Sequence, residues 1–291
     1  MKCDACGLPV REDEAIQFEG RWICAACKPT FVQQLKEGVL APVEEALPEG
    51  FEGRTLGMGE LIKLSWRVIR ADWMAIAGLI LLVALPINFL LAMLEPEGEP
   101  TMRDIGRSFR LQQSLETFVG VLSSLGIARI VSERLQGRRT GFWDAIFHAL
   151  SRWLPGIGTG ILEGIILVFM TLLLVVPGII WTGYYTFSIA VVSLRECGGK
   201  TALDYSKALV KGRWWGVVGR VLGLAGISII PMIIIEVGIV FAPESGAISF
   251  ASSVLTDLCF AFTSVGTVIL FLNLDAIHRR DPAFDSWRAR R

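Results

Sequence analysis

Four cysteines stand in two pairs near the start of the chain, Cys3 with Cys6 and Cys24 with Cys27, the pairs separated by about seventeen residues. CxxC followed by CxxC at this distance is the spacing of a four-thiolate zinc ribbon or treble clef. Two thiolates three positions apart can grip one ion from a tight knuckle, and Gly7 supplies the permissive backbone after the first pair. The competing chemistries are a pair of disulfides and a CxxC redox site. A reducing compartment argues against the first, and the lack of a βαβ context against the second. Between the pairs, residues 15–18 and 21–24 read as two short strands turned at Glu19-Gly20, with Ile16, Phe18, Trp22 and Ile23 as a very small core. So few apolar residues cannot fold about thirty residues alone, so a structural Zn2+ ion has to supply most of the stability.

A second set of candidates lies within apolar runs, where ionisable residues are costly and functional by default. Glu163, Glu236 and Asp257 qualify. Arg129 and Arg220 fall at a depth similar to Glu163, which makes a structural ion pair the competing reading. Glu236 and Asp257 both lie toward the outer end, where they could share a proton, bind a cation or meet an arginine of the 95–110 loop. His148, His278, Cys197 and Cys259 are solitary. Gly-rich phosphate loops, HExxH, GxSxG and paired-carboxylate motifs are not found, so an enzyme is not expected, and a lipid-acting one is the weakest alternative.

A third set is basic. In residues 192–219, Lys200, Asp204, Lys207 and Lys211 share one helical stripe, Leu203, Leu209 and Val210 lie away from it, and Arg213 precedes the pair Trp214-Trp215. The pattern is an elbow at a membrane surface, with indoles marking the return into lipid. The same design occurs at residues 131–158, offset by 193 − 132 = 61, matching Ser132 to Ser193, Arg134 to Arg195, Gly137 to Gly198, Arg152 to Arg213 and Trp153 to Trp214. Lys200, Lys207, Lys211, Arg213, Arg138 and Arg139 are therefore candidate contacts to anionic lipid headgroups, at roughly 1 kcal/mol per basic residue near the surface.

The elements that carry these groups follow from composition. At 53% hydrophobic and 19% charged residues over 291 positions, the chain is too apolar for a soluble domain. Its 28 basic and 28 acidic residues cancel, so net charge says nothing about a nucleic-acid partner. No apolar signal segment opens the chain, which keeps the amino terminus cytoplasmic. Six spans are expected, over residues 73–94, 115–131, 157–176, 179–194, 217–241 and 248–274, with Pro86 kinking the first and a tight turn at Pro177-Gly178. A third interfacial helix, from Met58 to Arg70, precedes the first span and ends in Arg70-Ala-Asp-Trp73. The fold class is thus an all-α polytopic membrane protein with a small zinc ribbon: ribbon 1–30, helix and linker 31–55, membrane domain 56–277, basic tail 278–291. Basic residues cluster on the side of both elbows and both termini, which the positive-inside rule makes cytoplasmic, in a bacterial inner membrane. Gly156, Gly160 and Gly164, with Gly219 and Gly223, give small-residue faces that suit helix packing or a homo-oligomer.

Two resemblances accompany these readings. The cysteine spacing resembles GATA-type fingers, and FEGRWICAAC resembles the half-finger of LIM-like ribbons. A DNA-reading finger needs a basic face, whereas Asp4, Glu12, Asp13, Glu14 and Glu19 outnumber the nearby cations, so no nucleic acid is favoured and a cytoplasmic protein partner is. Pro177, Gly178, Glu196, Gly198, Ala202, Leu203, Ser206, Leu209, Val210, Lys211, Gly212, Trp214 and Trp215 together resemble a bacterial membrane-domain family. That family is best known as the membrane domain fused to some glycerophosphodiester phosphodiesterases. The resemblance implies the fold and a membrane location; no phosphodiesterase domain follows here, so it implies no activity.

The expected function is a non-enzymatic membrane protein that displays a zinc ribbon for docking or structure. The alternative is a transporter or channel for a small solute or lipid, using Glu163, Glu236 and Asp257.

Overall fold

The structure is a computed structural model that describes residues 15–18, 21–24, 28, 51, 53–94, 106–107, 110–111, 114–195, 197–241 and 245–279. It divides into two units, residues 1–49 with 133–139, and residues 50–132 with 140–291.

In the first unit, strands β1 (Ala15–Phe18) and β2 (Arg21–Cys24) pair antiparallel, with Ala15 opposite Cys24 and Phe18 opposite Arg21. Both strands fall where alternation and the Glu19-Gly20 turn signal put them. Residues 133–139 form a separate turn. Gly137 takes a left-handed φ of 76°, which lets the Arg138 amide donate to the Glu133 carbonyl at 2.9 Å.

The second unit is helical. Helix α1 (Met58–Met93) is followed by a π-helical turn (Glu116–Gly120) leading into α2 (Val121–Leu135), then α3 (Phe142–Leu173), α4 (Val175–Tyr185), α5 (Ser188–Arg195), α6 (Lys200–Val210), α7 (Trp214–Val240), α8 (Gly246–Cys259) and α9 (Ala261–Arg279). Five helical stretches among the described residues are long and apolar enough to cross a membrane: Met58–Leu91, Phe142–Leu173, Val175–Arg195, Trp214–Ile239 and Phe250–His278. The expected sixth, over residues 115–131, is not among them. Helix α2 has 15 residues and includes Ser123, Ser124 and Arg129, and its apolar side is spent inside the bundle. Leu125, Ile127, Ala128, Ile130 and Val131 are all buried.

Apolar residues divide into two classes by position. The core includes Phe187 of the α4–α5 joint and Phe271 of α9, whose rings lie 5.9 Å apart, and Leu61, Leu125, Leu203 and Leu224 are buried as well. The outward faces of α3 and α7 remain apolar and exposed, including Phe169, Leu172, Ile230 and Ile234. Such surface is stable against hydrocarbon and not against water.

The backbone corrects one local expectation, the position of the turn between α3 and α4, and locates the break in α1. The residue of α1 that leaves helical geometry is Asp72 (φ −123°, ψ 26°), within Arg70-Ala-Asp-Trp73, and this break separates the interfacial helix from the span. Pro86 sits inside the same helix, where its restricted φ is compatible with the helical well. The turn between α3 and α4 is at Leu174, extended at φ −163° and ψ 138°, so Pro177 falls in the first turn of α4, where a missing N–H costs nothing.

The two elbows share a plan and differ in detail. Each has a left-handed glycine before its helix, Gly137 (φ 76°) in the first and, one position further along the repeat, Gly199 (φ 59°) in the second. The second breaks again at Gly212 (φ 82°) before α7 starts. The corresponding residue of the first copy is Ser151 (212 − 61 = 151), which carries a Cβ, and there the elbow helix runs on through Trp153 and Pro155 as the single helix α3.

Candidate functional site

Of the four cysteines, Cys24 closes strand β2 opposite Ala15, while Cys3, Cys6 and Cys27 lie outside the described residues.

The intramembrane carboxylates are not brought together. Glu163 on α3 accepts a hydrogen bond from the Ser188 hydroxyl at 2.5 Å, across the α3–α5 contact. The arginine partners expected for it are placed otherwise. Arg220 donates from Nε to the Leu56 carbonyl at 2.9 Å and from Nη1 to the Gly216 carbonyl at 2.7 Å, and Arg129 is half-buried on α2. Among the described residues Glu163 has no ion pair. Glu236 is exposed on α7, and no contact joins it to Asp257 among those residues.

Asp257 on α8 is the carboxylate that lines a cavity. Its Oδ2 accepts from the Asn88 side-chain amide at 2.9 Å, and that amide also donates to the Ala84 carbonyl at 2.9 Å. The cavity, about 330 Å3, lies between α1, the start of α2 and the α8–α9 joint. Ser123, Ser124 and Ser264 also line it, while Ile80, Val83 and Ile127 form its apolar wall. The hydroxyl protons of Ser123 and Ser264 go to the carbonyls of Gly120 (2.8 Å) and Phe260 (3.1 Å), which turns oxygen lone pairs toward what remains. An acceptor-rich concavity inside an apolar bundle suits a small cation or a hydrogen-bond donor.

The basic candidates separate by environment. Lys200, Lys211, Arg213 and Arg139 are exposed. Lys207 instead sets its ammonium 4.1 Å from the Trp181 ring centroid and 5.9 Å from that of Tyr184, which fixes α6 against α4 by cation–π attraction. Arg138 pairs with Glu133, and that hydrogen bond raises the guanidinium pKa.

Three groups with strong interactions carried no signal in the chain. Asp275 on α9, 2% exposed, takes both the Arg195 guanidinium and the Tyr205 hydroxyl. Asn273, two residues earlier, receives the Leu56 amide on Oδ1 at 3.0 Å and donates to the carbonyls of Phe51 and Arg54. Asn88 is the third. A lone Asp or Asn in an apolar run could be found as polar, but its partner lies in a distant part of the sequence.

The glycine faces also resolve individually. A Cβ on Gly156 would meet Val121 at 2.7 Å, and one on Gly223 would meet Met58 at 2.3 Å, so these two are close-packing positions; around Gly160, Gly164 and Gly219 nothing lies within 4 Å. The forty-residue motif of the second elbow is accounted for by packing: Ala202, Leu203, Leu209 and Val210 are buried, and Ser206 accepts from the Phe187 amide at 3.1 Å while donating to the Tyr184 carbonyl at 2.7 Å. No family model matches the chain, and no curated protein or solved structure matches it either.

Proposed function

We propose that the chain is a non-enzymatic integral protein of a bacterial inner membrane that carries a cytoplasmic zinc ribbon, held by Cys3, Cys6, Cys24 and Cys27, as a docking module for a protein partner. The helical unit is its anchor, of the kind seen in the phosphodiesterase-associated membrane domains. The observation that supports this reading is that residues 15–18 and 21–24, between the cysteine pairs, pair as two antiparallel strands, with Cys24 ending the second, an arrangement that a ribbon of this spacing would have. The buried motif residues of the elbow, Ala202, Leu203, Ser206, Leu209 and Val210, support the anchor role, because they are occupied in packing or hydrogen bonding. The test is metal analysis of the purified full chain with a pull-down from the cytoplasmic fraction. One zinc per chain, with Cys24→Ser losing both the metal and a specific partner, is the expected result. A metal-free wild-type chain ends the proposal.

A second reading rests on the Asn88–Asp257 cavity, whose acceptors favour passage or storage of a small cationic solute. The acidic trio acting together has no geometric support, so this version assigns the role to Asp257 alone. Flux into liposomes that falls on Asp257→Asn, while Glu163→Gln and Glu236→Gln leave it unchanged, is what it requires.

A further inference from the structure

We propose that Arg54, Arg213 and Arg220 form a pocket for the phosphate of an anionic phospholipid headgroup. The three line one pocket of about 450 Å3, closed by Thr55, Gly216 and Ile277. They come from the segment before α1, from the N-cap of α7 and from its second turn, and Arg54 and Arg220 are not basic-elbow residues at all. Only the fold unites them.

The guanidinium groups are held in place before any ligand arrives. Arg220 is fixed by the carbonyls of Leu56 and Gly216, and Leu56 is itself anchored by Asn273. Arg54 is fixed by Glu60, with Nη1–Oε2 at 3.1 Å and Nη2–Oε1 at 2.5 Å. Each guanidinium carries five N–H donors, so both retain donors beyond these bonds. Arg213 is exposed at the mouth. Among the described residues, three arginines against the single carboxylate of Glu60 leave two positive charges facing one concavity. A planar guanidinium fork matches phosphate oxygens in pairs, which a lysine ammonium does not. The size is within the ~300–1,000 Å3 range of ligand pockets.

The depth of the pocket selects the source of the phosphate. Arg213 adjoins Trp214-Trp215 at the start of α7, and Trp215 is 83% exposed. Indole at a helix end is an interfacial residue. Beyond it α7 exposes Leu222, Ile229 and Ile233 on the side of the helix turned away from the arginines. A lipid phosphate held at this depth keeps its acyl chains in the hydrocarbon that α7 faces, whereas a soluble phosphate has no such partner. The pocket thus differs from the exposed lysines of the elbow, which attract a charged leaflet without enclosing a group.

The experiment measures the affinity of the full chain, in neutral detergent, for phosphatidylglycerol. It compares wild type, Arg213→Gln, Arg213→Lys, Arg213→Gln with Arg220→Gln, and a charge-matched control, Arg107→Gln with Arg110→Gln, both exposed and outside the elbows. Phosphatidylcholine and inorganic phosphate serve as competitors. The expected result is about fivefold weaker binding for Arg213→Gln, the effect of one surface arginine on a phosphate. Arg213→Lys should recover part of it, the control should stay near wild type, and neither competitor should displace the lipid. Equal weakening in the control, unchanged binding in Arg213→Gln, or displacement by inorganic phosphate would each overturn the proposal. If the double pocket variant does not fold, Arg213→Gln decides alone, since its side chain holds no structural carbonyl.

Discussion

The guanidinium of Arg195, at the end of α5, is paired with the carboxylate of Asp275 on α9, eighty residues later in the chain. Asp275 is 2% exposed and Arg195 lies 5.9 Å over the Phe271 ring, so the pair is sheltered on the carboxylate side. Tyr205 of α6 adds its hydroxyl to the same carboxylate, which joins the elbow to the last helix. Removing one partner of such a pair leaves a charge without compensation, an effect of about 3–5 kcal/mol for a fully buried pair. Arg195 keeps some solvent access, so the lower end applies. Asp275→Ala is expected to destabilise the detergent-solubilised protein by about 3 kcal/mol, and Tyr205→Phe, which removes one hydrogen bond to a charged group, by about 1.5 kcal/mol. Thermal unfolding followed by circular dichroism checks both; equal small losses would mean the pair is not a determinant of the fold.

Asn273 closes the segment before α1 by three hydrogen bonds, to the Leu56 amide and to the carbonyls of Phe51 and Arg54. Its side chain is fully buried, and Phe51 and Leu56 are buried with it. Asn273→Ala leaves three backbone groups without partners at a total near 3 kcal/mol, taking about 1 kcal/mol each. The cost falls on a segment that can detach without unfolding the bundle. The expected outcome is faster tryptic cleavage after Arg54, with little change in global unfolding temperature. Cleavage at the wild-type rate would show that the segment is held by Phe51 and Leu56 alone.

Much of this was legible in the chain, and the boundary of legibility has a physical cause. The strands at 15–18 and 21–24, the exposed side of α6 and the break inside Arg70-Ala-Asp-Trp73 all depend on spacing within a few residues, which periodicity records directly. Partners across the bundle do not. Glu163 as a polar residue in an apolar run was evident, yet its partner is the Ser188 hydroxyl and not an arginine, because a neutral donor leaves no charge pattern to follow. Asp257 was evident for the same reason, and Asn88, its partner, was silent. The shortfall from six apolar spans to five has a related origin. Residues 125–131 put their apolar side chains inside the protein, while Ser123 and Ser124 beside the cavity dilute the hydropathy signal.

Trp214 donates its indole N–H to the Ile180 carbonyl at 3.0 Å, and Trp153, its counterpart in the first elbow, donates to the Phe118 carbonyl at 2.6 Å. The Trp214 contact has a steric condition. A Cβ on Gly183 would lie 2.4 Å from Trp214 Nε1 and 2.8 Å from Val218, closer than real atoms approach. Gly183→Ala is therefore expected to cost about 1–3 kcal/mol through overpacking. Gly160→Ala, with nothing within 4 Å, should fall within about ±0.5 kcal/mol of wild type. Unfolding of the two variants side by side checks the difference, and equal effects would place Trp214 elsewhere.

The positive-inside argument and the five long apolar helices make a joint prediction about α2. Both elbows and both termini share one side only if the chain crosses an even number of times, so residues 115–135 must form a sixth crossing although they are not among the five. A crossing by a less apolar helix is reasonable where neighbouring helices, and not lipid, surround it. Leu125, Ala128 and Val131 are fully buried, as this requires. Single cysteines introduced at Arg107, at Arg139 and at Lys211 in a Cys197→Ser, Cys259→Ser background, with the ribbon cysteines protected by zinc, report the topology in intact cells. Labelling by an impermeant reagent at residue 107 and protection at residues 139 and 211 is expected. Protection at residue 107 together with labelling at residue 139 would invert the orientation and remove the ribbon from the cytoplasm. The same side for residues 107 and 139 would show that α2 does not cross, and would place the two ends of the chain on opposite faces.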